Sequence, residues 1–599
     1  MVPLRPRRVA AVLILTLVLV VSYAPYLQIE TRGQTQSGLN GIIRPKIGYP
    51  VFIVQGDSFE ANVLPIQTAE RWKASIISEF GNYDLAVESS RLNQTGNVLI
   101  LKLRAQHAAP GLYSLELIAL TASGAVLARY QEPNSVSVKS SLQLPFRVMF
   151  VSDIHVNDKP DRILNTQRII RLANFLRPDF VLAAGDIIDS AQESHFPIAY
   201  TLLQNLEVPI IMAPGNHDHL ASGDFFSKYL APWYGSLDVG PVHIITLDSG
   251  PASIVGEIAS SQLAWLSNDL AAHNQSKFKV LMFHHPMFDT ENMGNPFGGV
   301  YARLGEVYQI SSQHEVSLII NGHMHTDIVF HGPVLTLVNS NAYEGGRPYT
   351  GFRILTIAQN GIDYRYAGGE QQIPLYDFNI DYSQPNDGKS FGIVVNLANN
   401  WRMSVNGSLR LRLGFGEFLK VDGASLSSMT NRTDYMILTS PISLAQGEAK
   451  KIVAYTRADN EPPVIELEGN PKIERGLTVV IVEVRWKIFD AGLGVKTAEM
   501  SYSTDNKTWM KVPLVQVEPR VFWGRIQFDR STARVFCYAE ASDVDGHVTT
   551  SPPSSITLTQ APPETQSQAL GFETGLALGL VGIVAIAIVA AYLLRRRKL

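Results

Sequence analysis

Apolar and polar positions follow different patterns in successive parts of the chain. Residues 31–144, and those beyond residue 369, carry short alternating or β-branched apolar runs separated by Gly, Pro and Asn, which is typical of β-sheet. In residues 145–368, apolar strands alternate with stretches whose apolar positions recur at helical spacing. Alternating strand and helix is typical of an α/β domain with helices outside a sheet. The pattern therefore predicts an α/β domain between β-rich domains.

Individual elements follow from the same pattern. In the N-terminal β-rich domain, strands are predicted at residues 49–54, 97–103 and 113–120. In the α/β domain, three helices are predicted: one capped by Asp161 and ended by Pro178, one near residues 199–206, and one beginning at Ser260 or Ser261. In the first helix, Ile169, Leu172, Ala173 and Leu176 form the predicted apolar face.

Both ends of the chain carry long apolar segments. Residues 574–594 contain no charged residue, and 21 residues form a helix of roughly 31 Å, enough to cross a bilayer core of ~30 Å. Basic residues 595–598 follow, which predicts a single C-terminal transmembrane helix with a cytoplasmic tail. Near the N-terminus, Arg5, Arg7 and Arg8 precede an apolar stretch, so this segment is predicted to be a signal peptide or an uncleaved anchor. Either alternative places the intervening domains outside the cell.

Composition excludes some classes of partner. The net charge is −4 and no basic stripe precedes the C-terminal tail, so a nucleic-acid partner is not expected. Cys537 is the single cysteine, which excludes an intrachain disulfide. The predicted organisation is a signal peptide or anchor at 1–30, a β-rich domain at 31–144, the α/β domain at 145–368, β domains at 369–455 and 456–562, a linker at 563–573, the transmembrane helix at 574–594 and the tail at 595–599.

Five polar motifs each follow an apolar strand of the α/β domain. They are Asp153-Ile154-His155, Gly185-Asp186-Ile187-Ile188-Asp189, Gly215-Asn216-His217-Asp218, His284-His285-Pro286 and Asn321-Gly322-His323-Met324-His325. Open α/β sheets build their sites at the carboxyl ends of strands, so these side chains are expected to converge. Residues two apart in a strand point the same way, so Asp153 with His155, and His323 with His325, are expected to project in pairs.

The mixture of carboxylate and imidazole groups indicates the class of metal. Such ligands suit Zn, Mn or Fe better than Ca or Mg. More ligands converge than one tetrahedral ion takes, so the sequence predicts two ions that share a bridging carboxylate.

The blocks D-x-H, G-D-x-x-D, G-N-H-D, a strand-end His and G-H-x-H resemble those of the calcineurin-like metallophosphoesterase superfamily, over about residues 145–368. The resemblance implies a first metal held by Asp153, His155 and His325, a bridging Asp186, and a second metal completed by Asn216, His284 and His323. His217 would then face the substrate, stabilising phosphoryl charge or protonating the leaving group, while a bridging hydroxide attacks phosphorus in line. His285 stays an alternative to His284. Asp189 stands where purple acid phosphatases have a tyrosine ligand, and it is expected to orient a neighbour.

Near the C-terminus, YAEASDVDGHVTTSPPSSITL resembles the closing strands of bacterial and archaeal immunoglobulin-like surface modules. The predicted fold class is therefore a multidomain chain: an α/β metallophosphoesterase domain, β-sandwich domains on both sides and a C-terminal transmembrane helix.

The predicted function is a membrane-anchored extracellular hydrolase of phosphate mono- or diesters that uses two transition-metal ions, Mn, Fe or Zn. Its predicted partners are the phosphate-ester substrate, the membrane, and cell-surface neighbours of the β modules. The alternative is a non-catalytic surface-binding or adhesion protein that uses the same fold as a scaffold.

Overall fold

A computed structural model describes residues 41–558, except residues 94, 191, 220–222, 252–255, 287–303, 344, 477 and 519. The predicted N-terminal segment (1–30), the linker (563–573), the predicted span (574–594) and the tail (595–599) lie outside the described residues.

The predicted fold class needs one correction. No helix in the described part of the chain is long and apolar enough to cross a membrane. The longest helix described there, Pro160–Leu176, has 17 residues, which is only roughly 26 Å, and it carries Arg162, Arg168 and Arg171. The C-terminal transmembrane helix is therefore removed from the fold class, and the α/β and β domains remain.

Residues 42–139 form an eight-stranded sheet. Its strands are β1 Ile42–Arg44, β2 Val51–Val54, β3 Ser58–Val63, β4 Arg71–Ser78, β5 Gly81–Asn93, β6 Val98–Arg104, β7 Gly111–Leu120 and β8 Val126–Lys139, in the order β1-β3-β6-β5-β4-β7-β8-β2. Along β7, Tyr113, Leu115 and Leu117 are buried at alternate positions, and they pack in one core with Phe59 and Leu101. The three strands predicted here are confirmed to within two residues at each end.

The α/β domain contains two sheets. The first comprises β9 Phe146–Val151, β10 Phe180–Ala184, β11 Ile210–Ala213, β18 Gly351–Ala358, β19 Gly361–Asp363 and β20 Ile373–Pro374, in the order β11-β10-β9-β18-β19 with β20 beside β18. The second comprises β12 Gly235–Val239, β13 Val242–Thr246, β14 Phe278–Met282, β15 Leu318–Asn321, β16 Ile328–His331 and β17 Leu335–Val338, in the order β12-β13-β14-β15-β17-β16.

These two sheets pack face to face. Phe150 and Leu182 of the first sheet share a core with Val280 and Ile320 of the second. Strands β9, β10 and β11 are mutually parallel, as are β13, β14, β15 and β17. Every residue of β10, β11 and β14 is buried, which explains why β10 and β11 are continuous apolar runs and why β14 is apolar except for Lys279.

Helices cover the outer faces of the two sheets. They are α1 Pro160–Leu176, α2 His195–Leu203, α3 Phe225–Tyr229, α4 Ser260–Ala272 and α5 Leu304–Gln313. The three predicted helices correspond to α1, α2 and α4. Asp161 is not the cap of α1: Lys159 holds that position, Pro160 opens the helix, and Asp161 lies in the first turn, where a carboxylate favours the helix dipole. The predicted apolar face of α1 is buried.

Two further β units follow. The first has β21 Phe378–Tyr382, β22 Gly392–Asn399, β23 Val405–Gly414, β24 Lys420–Asp422, β25 Ser428–Asn431, β26 Tyr435–Leu444 and β27 Ala449–Tyr455, in sheets β21-β22-β27-β24 and β23-β26-β25. It packs against α1, where the rings of Phe175 and Phe378 lie 5.3 Å apart.

The second unit is a two-sheet β module with its own core. Its strands are β28 Val464–Leu467, β29 Lys472–Arg475, β30 Val479–Phe489, β31 Val495–Ser503, β32 Met510–Pro513, β33 Val515–Glu518, β34 Val521–Asp529, β35 Arg534–Asp543, β36 Val548–Thr550 and β37 Ser554–Thr557. One sheet has the order β28-β30-β34-β33 with β29 beside β30, and the other has β32-β31-β35-β36 with β37 beside β35. Trp486 and Cys537 are buried between them.

Candidate metal centre

The seven predicted metal ligands lie two to four residues past the carboxyl ends of β9, β10, β11, β14 and β15, six of them in loops and Asn216 at the start of the short 3-10 helix Asn216–Asp218. These strands belong to both sheets, so the loops meet where the two sheets end together. The prediction that the five motifs converge is confirmed by the distances below.

The backbone of these loops is unusual. Five of the seven residues have left-handed φ: Asp153 (51°), His155 (52°), Asp186 (51°), His323 (69°) and His325 (48°). Holding a non-glycine residue in a strained left-handed conformation costs about 1–3 kcal/mol of folding free energy. Such residues cluster at functional sites. The expectation that these residues project in pairs because they alternate along a strand is wrong, since β9 ends at Val151 and β15 at Asn321.

Two motif glycines are required by the carboxylates beside them. A Cβ at Gly215 would collide with the carboxylate of Asp186, and a Cβ at Gly322 would collide with that of Asp153. Any larger residue at either position would displace a predicted ligand.

One group of candidate ligands surrounds Asp153. Its Oδ1 lies 3.3 Å from Nε2 of His325 and 3.9 Å from Nε2 of His155. Two ligands bound to one ion at about 2.1 Å and about 100° would be roughly 3.2 Å apart, so the first distance already fits a shared ion. The predicted first set is therefore assembled in the structure.

A second group lies beside it and shares Asp186. Oδ2 of Asp186 is 3.1 Å from Nε2 of His284 and 3.6 Å from Nε2 of His155. This single oxygen thus lies between the two groups, as a bridging carboxylate would. Oδ1 of Asn216 and Nδ1 of His323 are 3.1 Å apart, and the rings of His284 and His323 have centroids 5.2 Å apart.

Whether the cluster suits metal ions can be judged from its buried ring nitrogens that lack hydrogen bonds. Both ring nitrogens of His155 and Nε2 of His284 are buried and have no hydrogen-bond partner among the described residues. A buried imidazole nitrogen normally has a partner. Because Nε2 of His155 and Nε2 of His284 both face the carboxylates of Asp153 and Asp186, these residues suit transition-metal ions once the rings give up their protons.

Nδ1 of His284 identifies which of the adjacent histidines suits the metal. It lies 2.9 Å from the carbonyl oxygen of Ala184, so Nδ1 donates its proton there and Nε2 is left with a lone pair. Nδ1 of His285 instead pairs with Oγ of Ser249 at 2.7 Å. This arrangement favours His284 over His285 as the ligand.

The electrostatics of the cluster favour bound cations. Burial opposes ionisation of Asp153, but the surrounding histidines hold its pKa well below the usual value. Burial also opposes protonation of His155 and His284, yet the neighbouring carboxylates raise the pKa of His155 to about 10 and that of His284 to about 9. Burial and the charge of His284 lower the pKa of His323 to about 4, which keeps that ring neutral and able to bind metal.

His217 lies at the open side of the cluster. Its side chain is 36% exposed, and Nε2 lies 4.0 Å from Oδ2 of Asp186. The backbone N–H of Ser190 donates to Nδ1 of His217 at 3.1 Å, so the neutral ring carries its proton on Nε2. Burial lowers the pKa of His217, which favours that neutral form at pH 7.

Asp189 lies beside two of the rings. Its Oδ1 lies 3.4 Å from Nδ1 of His155 and 3.8 Å from Nδ1 of His217, while Asn157 donates to its Oδ2 at 2.8 Å. The contact with His155 fits the expectation that Asp189 orients a neighbour.

Two contributors to the site were missed or underrated from the sequence. The buried carboxylate of Asp218 accepts the backbone N–H groups of Ile187, Ile188 and Gly215 at 2.8–3.2 Å and so ties two motif loops together. Its place as the last residue of the G-N-H-D motif was the only available signal. The centroid of the Tyr343 ring lies 4.9 Å from that of His155, and Tyr343 was not among the predicted site residues.

Comparison with known proteins agrees with this geometry. Residues 146–327 match the family model described as calcineurin-like phosphoesterase. A cAMP/cGMP dual specificity phosphodiesterase of Mycobacterium tuberculosis is 30% identical over 190 residues, 28% of this chain and 56% of that protein. A glycerophosphodiester phosphodiesterase of Enterobacter lignolyticus is 28% identical over 120 residues, 18% of this chain and 43% of that protein. The chain thus spans about half the length of these curated relatives.

Among solved structures, a dimetal phosphatase from Danio rerio is similar with a TM-score of 0.30 and 14% identity, covering 36% of this chain and 93% of that one. The resemblance predicted from the motifs is confirmed by the family model and the sequence relatives. Residues 146–327 are therefore a calcineurin-like phosphoesterase domain.

Proposed function

We propose that the α/β domain is a metal-dependent hydrolase of phosphate esters, with phosphodiesters as its first substrate class. The observation that carries the proposal is that Nε2 of His155 and Nε2 of His284 are buried, have no hydrogen-bond partner among the described residues, and face the carboxylates of Asp153 and Asp186. The preference for diesters rests on the relatives, which are named as phosphodiesterases.

The residues that would hold two ions divide into two sets. Asp153, His155 and His325 would hold one ion, and Asn216, His284 and His323 the other, with Asp186 between them. Such ions, Mn, Fe or Zn by the chemistry of these donors, would polarise a phosphoryl group and ionise a water molecule near neutral pH.

The other residues of the site position groups and move a proton. The Nε2–H of His217 lies beside Asp186 on a side chain that is 36% exposed, so it can donate to a phosphoryl oxygen or to the leaving group. Asp189 faces Nδ1 of His155 and so orients that ring. Asp218 holds the two loops that carry Asp186 and His217.

The setting of this activity stays a prediction from the sequence. This applies to the location outside the cell and to cell-surface neighbours of the β modules. The proposal concerns the chemistry of residues 146–327 and does not depend on either.

The test is hydrolysis by the purified chain, stripped of metal and reloaded with Mn, Fe or Zn. We expect about two ions per chain and faster turnover of bis(p-nitrophenyl) phosphate than of p-nitrophenyl phosphate. Turnover that persists in metal-free protein would overturn the proposal.

A matched pair of variants sharpens this test. Asp186→Asn should remove most of the activity and reduce the metal content while the chain stays folded. Asp363→Asn is the control, because Asp363 pairs with Thr356, which pairs with Arg147 at the amino end of β9, away from the site. If Asp186→Asn is as active as Asp363→Asn, Asp186 is not a shared ligand.

A further inference from the structure

A second acidic group lies where the two C-terminal β units meet. Asp459 is in the connection between β27 and β28, Asp490 directly follows β30, and Asp543 is the last residue of β35. Ligand atoms of Asp459, Asp543 and His547 lie within 4.8 Å of one another. Three separate segments therefore bring carboxylates to one place, far along the chain from the metal centre.

The loop 490–494 holds these carboxylates together. The N–H of Leu493 donates to Oδ2 of Asp459 at 3.1 Å, and the N–H of Gly494 donates to Oδ2 of Asp490 at 2.7 Å. The carbonyl of Gly494 in turn accepts the N–H of Val544 at 3.0 Å, which fixes the segment after Asp543. The geometry is thus built by backbone contacts.

Asp490 is the feature that calls for a ligand. Asp490 is only 2% exposed, and its Oδ1 has no hydrogen-bond partner among the described residues. Burial, together with the charges of Asp459 and Asp543, raises the pKa of Asp490 to about 6. A buried carboxylate that faces two others is unfavourable unless a cation compensates it.

No lysine or arginine in the described part of the chain forms an ion pair with Asp459, Asp490 or Asp543. Nδ1 of His547 lies 2.7 Å from Oδ2 of Asp543 and donates its proton there. Oδ1 of Asp543 also accepts the N–H groups of Gly546 and His547, so Oδ1 of Asp490 is the oxygen of these three residues that is buried without a partner among the described residues.

We propose that Asp459, Asp490 and Asp543 bind a divalent cation, Ca²⁺, at the junction of the two C-terminal β units. Ca²⁺ takes carboxylate and carbonyl oxygens in flexible geometry, whereas Zn or Mn would favour imidazole nitrogen. This site is distinct from the metal centre of the α/β domain and does not rest on the proposed activity.

The cation would stiffen the junction. The same loop contacts the preceding unit, because Phe391 donates to the carbonyl of Ala491 at 2.9 Å and Nε2 of Gln384 donates to that of Gly492 at 2.6 Å. Asp459 lies in the connection itself. A cation shared by Asp459 and Asp490 would therefore fix the angle between the two units.

The direct test is Ca²⁺ stoichiometry of the full chain after chelation, measured by equilibrium dialysis. Wild type is expected to bind one more Ca²⁺ per chain than Asp490→Asn. Asp529→Asn is the matched control: Asp529 pairs with Val479 at the far end of β30, and the strand of 11 residues separates it from Asp490 by roughly 33 Å. Asp186→Asn should keep this Ca²⁺, which separates the site from the metal centre.

A second measurement covers the case in which Asp490→Asn does not fold. Trypsin cleavage after Arg457, in the connection, should slow at least tenfold with millimolar Ca²⁺ in wild type and in Asp529→Asn, but not in Asp459→Asn. Equal Ca²⁺ binding and equal protection in wild type and the cluster variants would overturn the proposal. So would binding of Zn²⁺ or Mn²⁺ at this site with none of Ca²⁺.

Discussion

His217 offers the sharpest test of how the site acts, because its proton position follows from one hydrogen bond. The N–H of Ser190 donates to Nδ1, which leaves Nε2–H as the donor toward the substrate. His217→Ala removes that donor without removing any of the seven candidate ligands. His217→Gln keeps an amide N–H at a similar reach.

The expected size of the effect follows from exposure. Removing one preorganised donor to a transition state typically lowers kcat about 10²–10³-fold. The His217 side chain is 36% exposed, so water weakens its hydrogen bonds and the lower end applies, about 100-fold or about 2.7 kcal/mol. We expect that loss in His217→Ala, a smaller loss in His217→Gln, and unchanged metal content in both.

The assay is kcat for bis(p-nitrophenyl) phosphate at saturating metal, with elemental analysis of each variant. His331→Ala is the control, because His331 is an exposed histidine on β16 that pairs with Glu370. A kcat for His217→Ala within twofold of wild type would refute the donor role. Loss of a metal ion from this variant would equally refute it, by showing that His217 is a ligand.

Three further predictions concern stability and metal affinity. Asp218→Ala removes the acceptor of three backbone N–H groups and should lower the free energy of unfolding by about 2–4 kcal/mol in chemical denaturation; an unchanged midpoint would contradict its loop-tying role. Lys46→Met leaves the fully buried Glu132 without its cation and should cost about 3–5 kcal/mol in the same assay, most of it recovered when Glu132→Leu is added. Because the metal-free protein holds protons on His284 (pKa about 9) and His155 (pKa about 10), metal affinity should rise with pH between 6 and 8, by about tenfold per unit for each proton displaced; a flat competition titration would count against these rings as ligands.

The positions of the candidate ligands could be predicted because the signal is local. Each motif stands directly behind a buried strand, and apolar runs such as β10 and β14 mark those strands in the sequence. The conformation of the ligands could not be predicted in the same way. Strand alternation was extended past the ends of β9 and β15, where Asp153 and His323 instead have left-handed backbones that only the surrounding structure imposes.

Features that depend on contacts between distant parts of the chain could not be predicted, because no local pattern marks them. The apolar strands of both sheets carry the same pattern, so the sequence could not assign β9 and β14 to different sheets. Asp218 contacts Ile187 and Ile188 across about 30 residues of chain, and nothing in its immediate neighbours signals this. The transmembrane helix was inferred from an apolar run alone, and no helix in the described residues supports it.

The surroundings of α1 bear on how this protein should be divided for experiments. Of its 17 residues only Asp161 is exposed, since one side packs on the first sheet and the other meets β21, β23 and β33. A fragment that ends with β20, the last strand of the α/β domain, would therefore uncover Phe175 and the apolar surface around it. Such a fragment would aggregate before its chemistry could be measured, and a cut after β27 would still remove the contact of α1 with β33, so the sensible unit for enzymology keeps both C-terminal β units.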